Sequence, residues 1–379
     1  MKIISVVGAR PNFIKISPFI KSINKYNSNN TIKVEHLLVH TGQHYDDRMS
    51  KSFFESLNIP YADINLGIGS GSHAEQVGRT MIAFEKVLLV EKPDWVVVVG
   101  DVNATLACSV TAKKLHIKVC HIEAGLRSQD NLMPEEINRL VTDRLSDLLL
   151  VPDELSVQNL LKEGVEKNKI KFVGNIMIDT LLENKKTSLN LNFNEIISKN
   201  SISTNNENIK KNNFILTTLH RPSNVDSKKN LNSIVDFFLN EISILKDIVW
   251  PIHPRTVKQL KLFQLWDALV ENPKIHLLHP IGYHELLNLN INSKLVLTDS
   301  GGLQEECTVI GTPCITLRSN TERPITLVEN GGVSVLVGND IPKISKEYNK
   351  ALKITKKPIQ PKYWDGKTAE RCLKKIINF

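Results

Sequence analysis

Two acidic side chains stand where an α/β chain could use them for proton transfer. Asp101 directly follows the apolar run WVVVVG, and Glu123 directly follows KVCHI. In open parallel sheets, ligands bind at the carboxyl ends of the strands. Capping of the next helix is the alternative role for Asp101. The two positions nevertheless make Asp101 and Glu123 candidate acid–base groups on one sheet edge.

A third acid and a histidine extend this candidate set. Glu135 follows Pro134 at the start of the predicted helix EEINRLVTDRLSD, where attraction to the helix dipole would also explain an acidic residue. His220 follows the apolar run FILTTL and precedes Arg221. A titratable ring beside a fixed positive charge suits a phosphate-binding or acid–base site.

A short glycine segment suggests an anion site. Ser300, Gly301 and Gly302 follow the run KLVLTD and open the predicted helix LQEECTVIG. Glycines let a ligand approach the backbone, and the free N–H groups of a helix N-terminus favour a phosphate. Glu306 lies about one turn into that helix, where it could bind a ribose diol, cap the helix or face solvent.

Arg10 and Lys15 flank the first predicted strand-to-helix turn. They could contact an anionic ligand, although a solvent-exposed role on the helix also explains Lys15. The chain contains no Walker A sequence and no G-x-G-x-x-G fingerprint, and the glycines of GIGSG at 67–71 are typical of a loop. The sequence therefore gives no signal for a nicotinamide cofactor or an ATP-type phosphate loop.

The elements that position these residues are short β-branched runs alternating with amphipathic helical patterns. This alternation is typical of βα units that build a parallel sheet. The first series is IISVV, VEHLLVH, WVVVVG, KVCHIE, DLLLV and IKFVG, and the second is FILTTLH, DIVWPIH, IHLLHP, KLVLTDS, PCITL and VSVLV. A polar, Asn-rich stretch at 187–212 separates the two series.

These patterns predict an α/β protein with two Rossmann-like, doubly wound domains and a cleft between them. We place the first domain at 1–173 and the second at 174–364, with the Asn-rich stretch in the second. The C-terminal helix at about 365–379 is expected to pack back on the first domain. Polar residues follow strands in both halves, so a ligand in the cleft is expected to contact both.

Length and composition indicate an ordinary folded protein. The 379 residues are 41% hydrophobic and 23% charged, which suits two or three globular domains. No apolar run reaches the roughly 18 residues of a membrane span, and the start MKIISVVGARP lacks a signal-peptide core. The five cysteines are scattered and none forms a C-x-x-C pair, which predicts reduced thiols in a cytoplasm and no zinc site.

The net charge of +8 is compatible with a nucleic acid or a small anion as partner. Many lysines fall in Asn-rich stretches typical of a solvated surface, and no helix-turn-helix, RNP or zinc-finger pattern is present. The charge pattern therefore favours a small anionic ligand, with no nucleic acid and no membrane as partner.

Nine motifs together resemble the non-hydrolysing UDP-N-acetylglucosamine 2-epimerases. They are VGARPNFIK, HTGQHYD, GDVNATLA, HIEAGLRS, MPEEINR, TLHRPSN, HPRT, LTDSGGLQEE and TERPITL. The resemblance covers almost the whole chain in the same order. It implies a glycosyltransferase-B fold, a homodimer, and interconversion of UDP-N-acetylglucosamine and UDP-N-acetylmannosamine for envelope or capsule polysaccharide synthesis, without metal or other cofactor.

The resemblance also implies roles for individual residues. The acid–base groups would be Asp101, Glu123, Glu135 and His220, with His220 on the phosphate side of the site. The substrate contacts would be Arg10, Lys15, Arg139, Ser300, Gly301, Gly302, Glu306 and Arg323. Among these, the Ser300 segment would hold the diphosphate and Glu306 the ribose. The implied reaction is anti elimination of UDP to a 2-acetamidoglycal, followed by re-addition of UDP.

Several alternatives stay open from the sequence. The motifs are also similar to the branch that acts on UDP-2,3-diacetamido-2,3-dideoxyglucuronic acid. A hydrolysing epimerase would release free N-acetylmannosamine, and a glycosyltransferase on the same fold would need an acceptor. A non-enzymatic UDP-sugar sensor is disfavoured, because strand-end carboxylates would not help a protein that only binds an anion.

Overall fold

The computed structural model describes residues 1–42, 57, 60–202 and 209–379, and of Arg10 only the main chain. The HTGQHYD motif is therefore described as far as Gly42, and its remaining residues lie outside the described ones. The chain divides into two compact units. Unit 1 comprises Met1–Glu183 and Pro361–Phe379, and unit 2 comprises Asn184–Gln360.

Unit 1 is a parallel sheet with helices between its strands. Its strands are β1 (Lys2–Val7), β2 (Glu35–His40), β3 (Ile64–Asn65), β4 (Trp95–Val99), β5 (Lys118–Ile122), β6 (Leu148–Val151) and β7 (Ile170–Phe172). The helices that follow are α1 (Arg10–Asn29), α2 (His73–Glu91), α3 (Asn103–Lys114), α4 (Pro134–Leu145), α5 (Glu154–Lys162) and α6 (Ile176–Leu189). A 3₁₀ turn at Lys167–Lys169 precedes β7.

The strand order of unit 1 explains which residues meet. The order is β3-β2-β1-β4-β5-β6-β7, so β1, β4 and β5 are neighbours in the centre of the sheet. Every residue of the WVVVV strand β4 is buried, as expected for a strand covered on both faces. Because all these strands run parallel, the residues after β1, β4 and β5 lie on one edge.

Unit 2 repeats this architecture. Its strands are β8 (Phe214–Thr218), β9 (Asp247–Pro251), β10 (Ile275–Leu278), β11 (Leu295–Thr298), β12 (Cys314–Thr316) and β13 (Ser334–Leu336). Its helices are α7 (Phe193–Asn200), α8 (Pro222–Val225), α9 (Lys228–Phe237), α10 (Ser243–Leu245), α11 (Pro254–Leu262), α12 (Trp266–Glu271), α13 (Tyr283–Asn292), α14 (Gly301–Ile310) and α15 (Ile341–Ala351). A π-helical turn at Phe238–Ile242 joins α9 to α10, and 3₁₀ turns occupy Pro324–Thr326 and Val328–Asn330.

The strand order of unit 2 is β10-β9-β8-β11-β12-β13, with every neighbouring pair parallel. The segments after β8 and β11 are therefore adjacent at the carboxyl edge. Both units are thus Rossmann-like parallel sheets, and the predicted α/β class is confirmed.

The final helix of the described chain, α16 (Thr368–Ile377), belongs to unit 1. Asp179 of α6 accepts hydrogen bonds from the backbone N–H groups of Thr368 at 3.1 Å and Ala369 at 2.7 Å. The indole Nε1 of Trp364 donates to the carbonyl of Pro152 at 3.1 Å. The carboxylate satisfies N–H groups that a helix start leaves unpaired, so α6 fixes where α16 begins.

The division between the units falls within α6, about ten residues beyond the boundary at 173/174 placed from the sequence. The first half of α6 buries Ile176, Ile178 and Leu181, and it carries the Asp179 cap of α16. In its second half, Asn184 Oδ1 contacts His284 Nε2 at 2.7 Å, within unit 2. One uninterrupted helix therefore contributes to both units, and its apolar periodicity contains no break that marks the division.

The Asn-rich stretch contains a helix that its composition conceals. The helix α7 buries Phe193, Ile196 and Ile197, and the side chain of Asn192 accepts from the backbone N–H groups at its start. Asparagine is a weak helix former but a strong N-cap. Three apolar residues on one face were enough to fold this segment against the sheet of unit 2.

Candidate active site

The centre of the unit 1 edge is built around the turn after β1. The Asn12 side chain accepts from the backbone N–H groups of Gly8 at 3.3 Å and Ala9 at 3.0 Å, and donates to the carbonyl of Val99 at 3.0 Å. Asn12 thereby ties the first βα turn to the end of β4. The residues after these two strands are held at a fixed separation.

Lys15 and Glu123 form an ion pair at this edge. Lys15 projects from α1 and Glu123 follows β5, and both side chains are almost fully buried. Gly100 leaves the necessary space, because a Cβ there would lie 3.2 Å from the Lys15 ammonium. The backbone of Glu123 has a φ of 71°, a conformation that glycine or asparagine usually adopts. Lys15 is thus a buried partner of Glu123 and not a solvated helix residue.

One carboxylate oxygen of Glu123 makes no hydrogen bond to the described residues. Oε2 bonds Lys15, whereas Oε1 is buried with no hydrogen-bond partner among the described residues. A buried acceptor without a partner costs free energy, of order 1–3 kcal/mol. Its position at the carboxyl edge makes this oxygen available to accept a proton or a hydrogen bond from a ligand.

Arg139 joins two further carboxylates. Its Nη2 lies 2.8 Å from Oδ2 of Asp101, and its Nη1 pairs with Glu136. Glu136 also accepts from the backbone N–H of Ser128 at 3.0 Å and from the Ser128 hydroxyl at 3.0 Å. Asp101 keeps 25% of its side chain exposed, whereas Glu136 and Arg139 are buried. Asp101 is therefore the member of this cluster that a ligand can reach.

Glu135 lies apart from that buried cluster. It is an exposed residue of the first turn of α4, and it stands four positions before Arg139. Residues four apart are neighbours along a helix, so Glu135 lies one turn from Arg139, although Arg139 is buried and Glu135 is exposed. Glu136 was expected only as an acid of the first helical turn and not as a site residue. Its burial comes from its bonds to Ser128 in the segment after β5, which helix position alone does not show.

In unit 2, His220 is oriented by Asp299. The Nδ1 of His220 lies 2.9 Å from Oδ1 of Asp299, which is fully buried at the end of β11. Asp299 also accepts from the backbone N–H of Arg221 at 2.9 Å and from Asn224 Nδ2 at 3.0 Å. Burial raises the pKa of Asp299, but the bonds from His220 outweigh this effect and lower the pKa below its ordinary value. Because Nδ1 contacts Asp299 and the ring is about half exposed, Nε2 is the ring nitrogen that we expect to meet a ligand.

The Ser300, Gly301 and Gly302 segment begins α14 directly after this aspartate. The backbone N–H of Ser300 donates to Thr298 Oγ1 at 3.0 Å. A Cβ on Gly301 would lie 2.7 Å from Glu322 Oε1 and 2.8 Å from Arg323 Nη1, whereas a Cβ on Gly302 would meet nothing within 4 Å. Gly301 is therefore required by packing, and Gly302 leaves open space over the helix start.

Arg323 is buried beside Gly301 with two carboxylates. Its Nε lies 2.7 Å from Glu305 Oε1, and its Nη1 pairs with Glu322. Arg318 Nη2 also lies 2.7 Å from Glu322 Oε2. These bonds offset the charge of Arg323 and fix the TERP loop against the first turn of α14.

Glu306 is buried one turn into α14, and the hydroxyl of Tyr283 faces its carboxyl group. Burial raises the pKa of Glu306 to about 7, against the opposing interaction with Tyr283. The side chain therefore changes charge near neutral pH, unlike an exposed or capping glutamate. Neither alternative role considered from the sequence fits this burial.

The structure thus groups the predicted site residues in two sets. Unit 1 brings together Asp101, Glu123, Lys15 and Arg139, and Glu135 lies on the exposed face of α4. The Arg10 side chain is not among the described parts of the structure. Unit 2 brings together His220, Ser300, Gly301, Gly302, Glu306 and Arg323. In the described ranges, no three His, Cys, Asp or Glu side chains are placed to hold a metal ion. No helix in the same ranges is long and apolar enough to cross a membrane.

Two Rossmann-like units, one with paired carboxylates and one with a helix N-terminus beside an Asp–His pair, define a nucleotide-sugar enzyme of the glycosyltransferase-B type. The profile of the family described as UDP-N-acetylglucosamine 2-epimerase matches residues 26–377. The chain belongs to the UDP-N-acetylglucosamine 2-epimerase family.

Individual relatives agree with this assignment. The UDP-N-acetylglucosamine 2-epimerase of Methanocaldococcus jannaschii is 46% identical over 99% of this chain and 98% of its own length. A crystal structure of the M. jannaschii enzyme in complex with UDP-GlcNAc and UDP matches with a TM-score of 0.88, at 44% identity and full coverage of both chains. The UDP-2,3-diacetamido-2,3-dideoxy-D-glucuronate 2-epimerase of Pseudomonas aeruginosa is 41% identical over 89% of this chain and 88% of its own length.

Proposed function

We propose that this protein interconverts UDP-N-acetylglucosamine and UDP-N-acetylmannosamine without hydrolysis. The observation that carries the proposal is the pair of strand-end carboxylates, Asp101 and Glu123, in a chain of this family. Glu123 supports it most directly, because its Oε1 is buried and has no partner among the described residues. A proton must leave C2 and another must return to the opposite face, and both transfers need positioned acid–base groups.

The proposed reaction balances in two steps. In the first, the anomeric C1–O bond breaks, the electron pair leaves with UDP, and a carboxylate takes the C2 proton, which forms a 2-acetamidoglycal. In the second, an acid returns a proton to the other face of C2, and a diphosphate oxygen of UDP attacks C1. Because the C2 hydrogen is weakly acidic, C1–O cleavage must run ahead of proton removal, so stabilisation of the departing diphosphate is essential.

Unit 1 is proposed to carry out the proton transfers. Asp101, Glu123 and Glu135 are the acid–base groups, with no face of C2 assigned to any of them. Lys15 holds Glu123 and contacts the substrate, and Arg139 holds Asp101. Lys15 bonds only Oε2 of Glu123, which leaves the buried Oε1 for the sugar.

Unit 2 is proposed to hold UDP. The N–H groups at the start of α14 (Ser300, Gly301 and Gly302) bind the diphosphate, because a helix N-terminus is partly positive. His220 contacts the phosphate through Nε2 and supplies a proton to the leaving group. Glu306 binds the ribose hydroxyls, and Arg10 and Arg323 support the phosphates.

The family assignment favours this substrate over the diacetamido-glucuronic acid sibling, since the relatives with 46% identity act on UDP-N-acetylglucosamine and the sibling enzyme is 41% identical.

We also propose a homodimer. Ile82, Leu89 and Val90 of α2 and Ile137 of α4 are large apolar side chains that are more than half exposed, and a second copy could bury them. A cytoplasmic location is proposed because all five cysteines are free and buried.

The decisive experiment is incubation with UDP-N-acetylglucosamine in deuterated water and no acceptor. Deuterium at C2 of both UDP-sugars, with no free N-acetylmannosamine, is the expected result. A hydrolysing epimerase would give free sugar and UDP, and a transferase would leave the sugar unlabelled. The sibling UDP-2,3-diacetamido-glucuronic acid is offered in parallel. Labelling of that sugar alone, or of neither, would overturn the proposal.

A further inference from the structure

A buried histidine of β5 links two elements that carry the unit 1 site. The Nε2 of His121 lies 2.8 Å from the carbonyl oxygen of Gly100, the residue before Asp101. Its Nδ1 lies 2.6 Å from Oδ1 of Asp143, one helical turn beyond Arg139 on α4. The ring therefore joins the loop after β4 to α4, as does the Asp101–Arg139 ion pair.

Both partners of the ring are hydrogen-bond acceptors. The Gly100 carbonyl has no hydrogen to donate, so Nε2 of His121 must carry one. Asp143 accepts from Arg127 Nη1 at 2.7 Å and from the backbone N–H of Gly125 at 3.0 Å. Burial raises the pKa of Asp143, but its contacts with His121 and Arg127 outweigh this and lower it below the ordinary value. Asp143 is therefore an ionised acceptor, and Nδ1 must carry a hydrogen as well.

The charges of this cluster balance only if the ring is positive. Arg127 bonds Glu163 through Nε at 2.8 Å and through Nη2 at 2.7 Å, in a two-point contact. Glu163 therefore takes most of the charge of Arg127, and His121 is the remaining cation that contacts Asp143. A buried carboxylate without a compensating cation would be costly.

We propose that His121 is a positioning residue, held as a doubly protonated ring, that fixes Gly100 and thereby the Asp101 carboxylate for proton transfer. The inference rests on the proposed function. Gly100 has a φ of 69°, a backbone conformation that residues with a side chain rarely adopt. Glycine is conformationally permissive, so the backbone before Asp101 could also take other conformations. The bond to its carbonyl removes that freedom.

Loss of one ring proton would break the link. A neutral imidazole donates a single hydrogen bond, so it could hold Gly100 or Asp143 but not both. The remaining charged groups at this edge come from each element around the ring and are themselves paired. They are Asp101 after β4, Glu123 after β5, Lys15 on α1, Arg139 on α4, Arg127 in the segment after β5 and Glu163 after α5.

Two variants of the full chain, His121→Gln and Asp143→Asn, test the inference. His121→Gln is expected to lower kcat for C2 deuterium exchange by about 10²-fold, the scale of a small misplacement of a reacting group, with an unchanged Kd for UDP. In Asp143→Asn, an amide replaces the carboxylate that holds the ring charge. The decline of kcat at alkaline pH is then expected to begin at lower pH than in the native protein, because the positive ring has lost its carboxylate partner.

Asp247→Asn is the matched control. Asp247 contacts the buried His276 of unit 2 at 3.4 Å, at the amino ends of β9 and β10 and away from the candidate site. This variant removes another His–Asp contact, which is longer and less buried than that of His121, and should leave kcat and its pH profile unchanged. A similar change in this control would show that any loss of a buried His–Asp contact has the effect, and would overturn the assignment to His121.

A ring measurement separates this inference from the proposed function. In protein labelled with ¹⁵N-histidine, the His121 signals are those missing from His121→Gln, or those shifted in Asp143→Asn if the first variant does not fold. Both ring nitrogens should be protonated at neutral pH. A ring with one protonated nitrogen, or an alkaline decline of kcat unmoved in Asp143→Asn, would overturn the inference. Absence of exchange in the native protein would instead reject the proposed function, and the ring measurement would still decide the protonation state.

Discussion

The carboxyl edges of the two sheets share one architecture and differ in how they hold charge. In unit 1, cations and carboxylates alternate: Lys15 pairs with Glu123, and Arg139 with Asp101. In unit 2, the edge presents the start of α14 and the half-exposed ring of His220, while its carboxylate Asp299 is fully buried. The first arrangement suits the movement of protons, and the second suits the holding of an anion.

The contrast predicts that variants of unit 1 carboxylates lose turnover and keep nucleotide affinity. Glu123→Gln and Asp101→Asn should lower C2 deuterium exchange by about 10² or more, the scale of acid–base removal, because an amide cannot take the proton. Calorimetric titration should give native Kd values for UDP. Glu91→Gln, which removes one of the two carboxylate partners of Lys2 far from the edge, is the control. Native exchange rates in both unit 1 variants would mean that the proton transfers occur elsewhere.

Two adjacent glutamates sharpen the role of unit 1. Glu135→Gln should lower turnover by a similar factor, about 10², with little effect on stability, because the residue is exposed. Glu136→Gln should lower the free energy of unfolding, by about 3 kcal/mol, because it leaves Arg139 without its buried partner. Thermal melts and exchange rates of the two variants separate the roles. If Glu136→Gln lost only activity and Glu135→Gln only stability, the two assignments would have to be exchanged.

For unit 2 the glycines at the start of α14 offer a matched pair. In Gly301→Ala the new Cβ would clash with Glu322 and Arg323, whereas in Gly302→Ala it would meet nothing within 4 Å. Gly301→Ala should weaken UDP binding by about tenfold or more, since a hydrogen bond to a charged group contributes roughly 1.5–3 kcal/mol. Equal affinities in the two variants would show that the packing of the TERP loop does not set the diphosphate site.

The smallest expected effect concerns pH. Glu306 has a pKa of about 7, so it is largely neutral at pH 6 and ionised at pH 8 in the free protein. A carboxylate accepts hydrogen bonds from both ribose hydroxyls, so UDP affinity should rise by a few fold between these values. The same ionisation has the opposite effect on the free energy of unfolding. A carboxyl whose folded pKa is raised stabilises the fold at low pH, and this contribution declines as pH rises from about 4.5 through about 7.

Glu306→Gln checks both parts of this prediction. An amide does not titrate, so both the rise in UDP affinity and the decline in melting temperature across this range should become smaller. Titrations and thermal melts at pH 6 and pH 8 provide the measurement. A pH dependence identical to that of the native protein would assign it to another group.

The sequence alone was sufficient for the sheets and for much of the two edges. Short continuous runs of β-branched residues are typical of strands buried on both faces, and the ends of those strands then identify Asp101, Glu123 and His220. The sequence did not reveal the partners that these residues find across the fold. From the sequence, Asp299 is an ordinary acid at a strand end and Glu136 an ordinary acid at a helix start. Their burial depends on hydrogen bonds to residues elsewhere in the chain. His121 lies within a strand, where a polar residue gives no local signal.

The route of the chain through α6 and back at residue 361 sets an order for biosynthesis. Unit 1 needs Trp364 and the buried face of α16, including Leu373 and Ile376, yet these residues follow all of unit 2 in the chain. On the ribosome, the sheet of unit 2 can therefore be complete while α1 still lacks the helix that packs on it. The half of the molecule that is synthesised first is the half that can finish folding last.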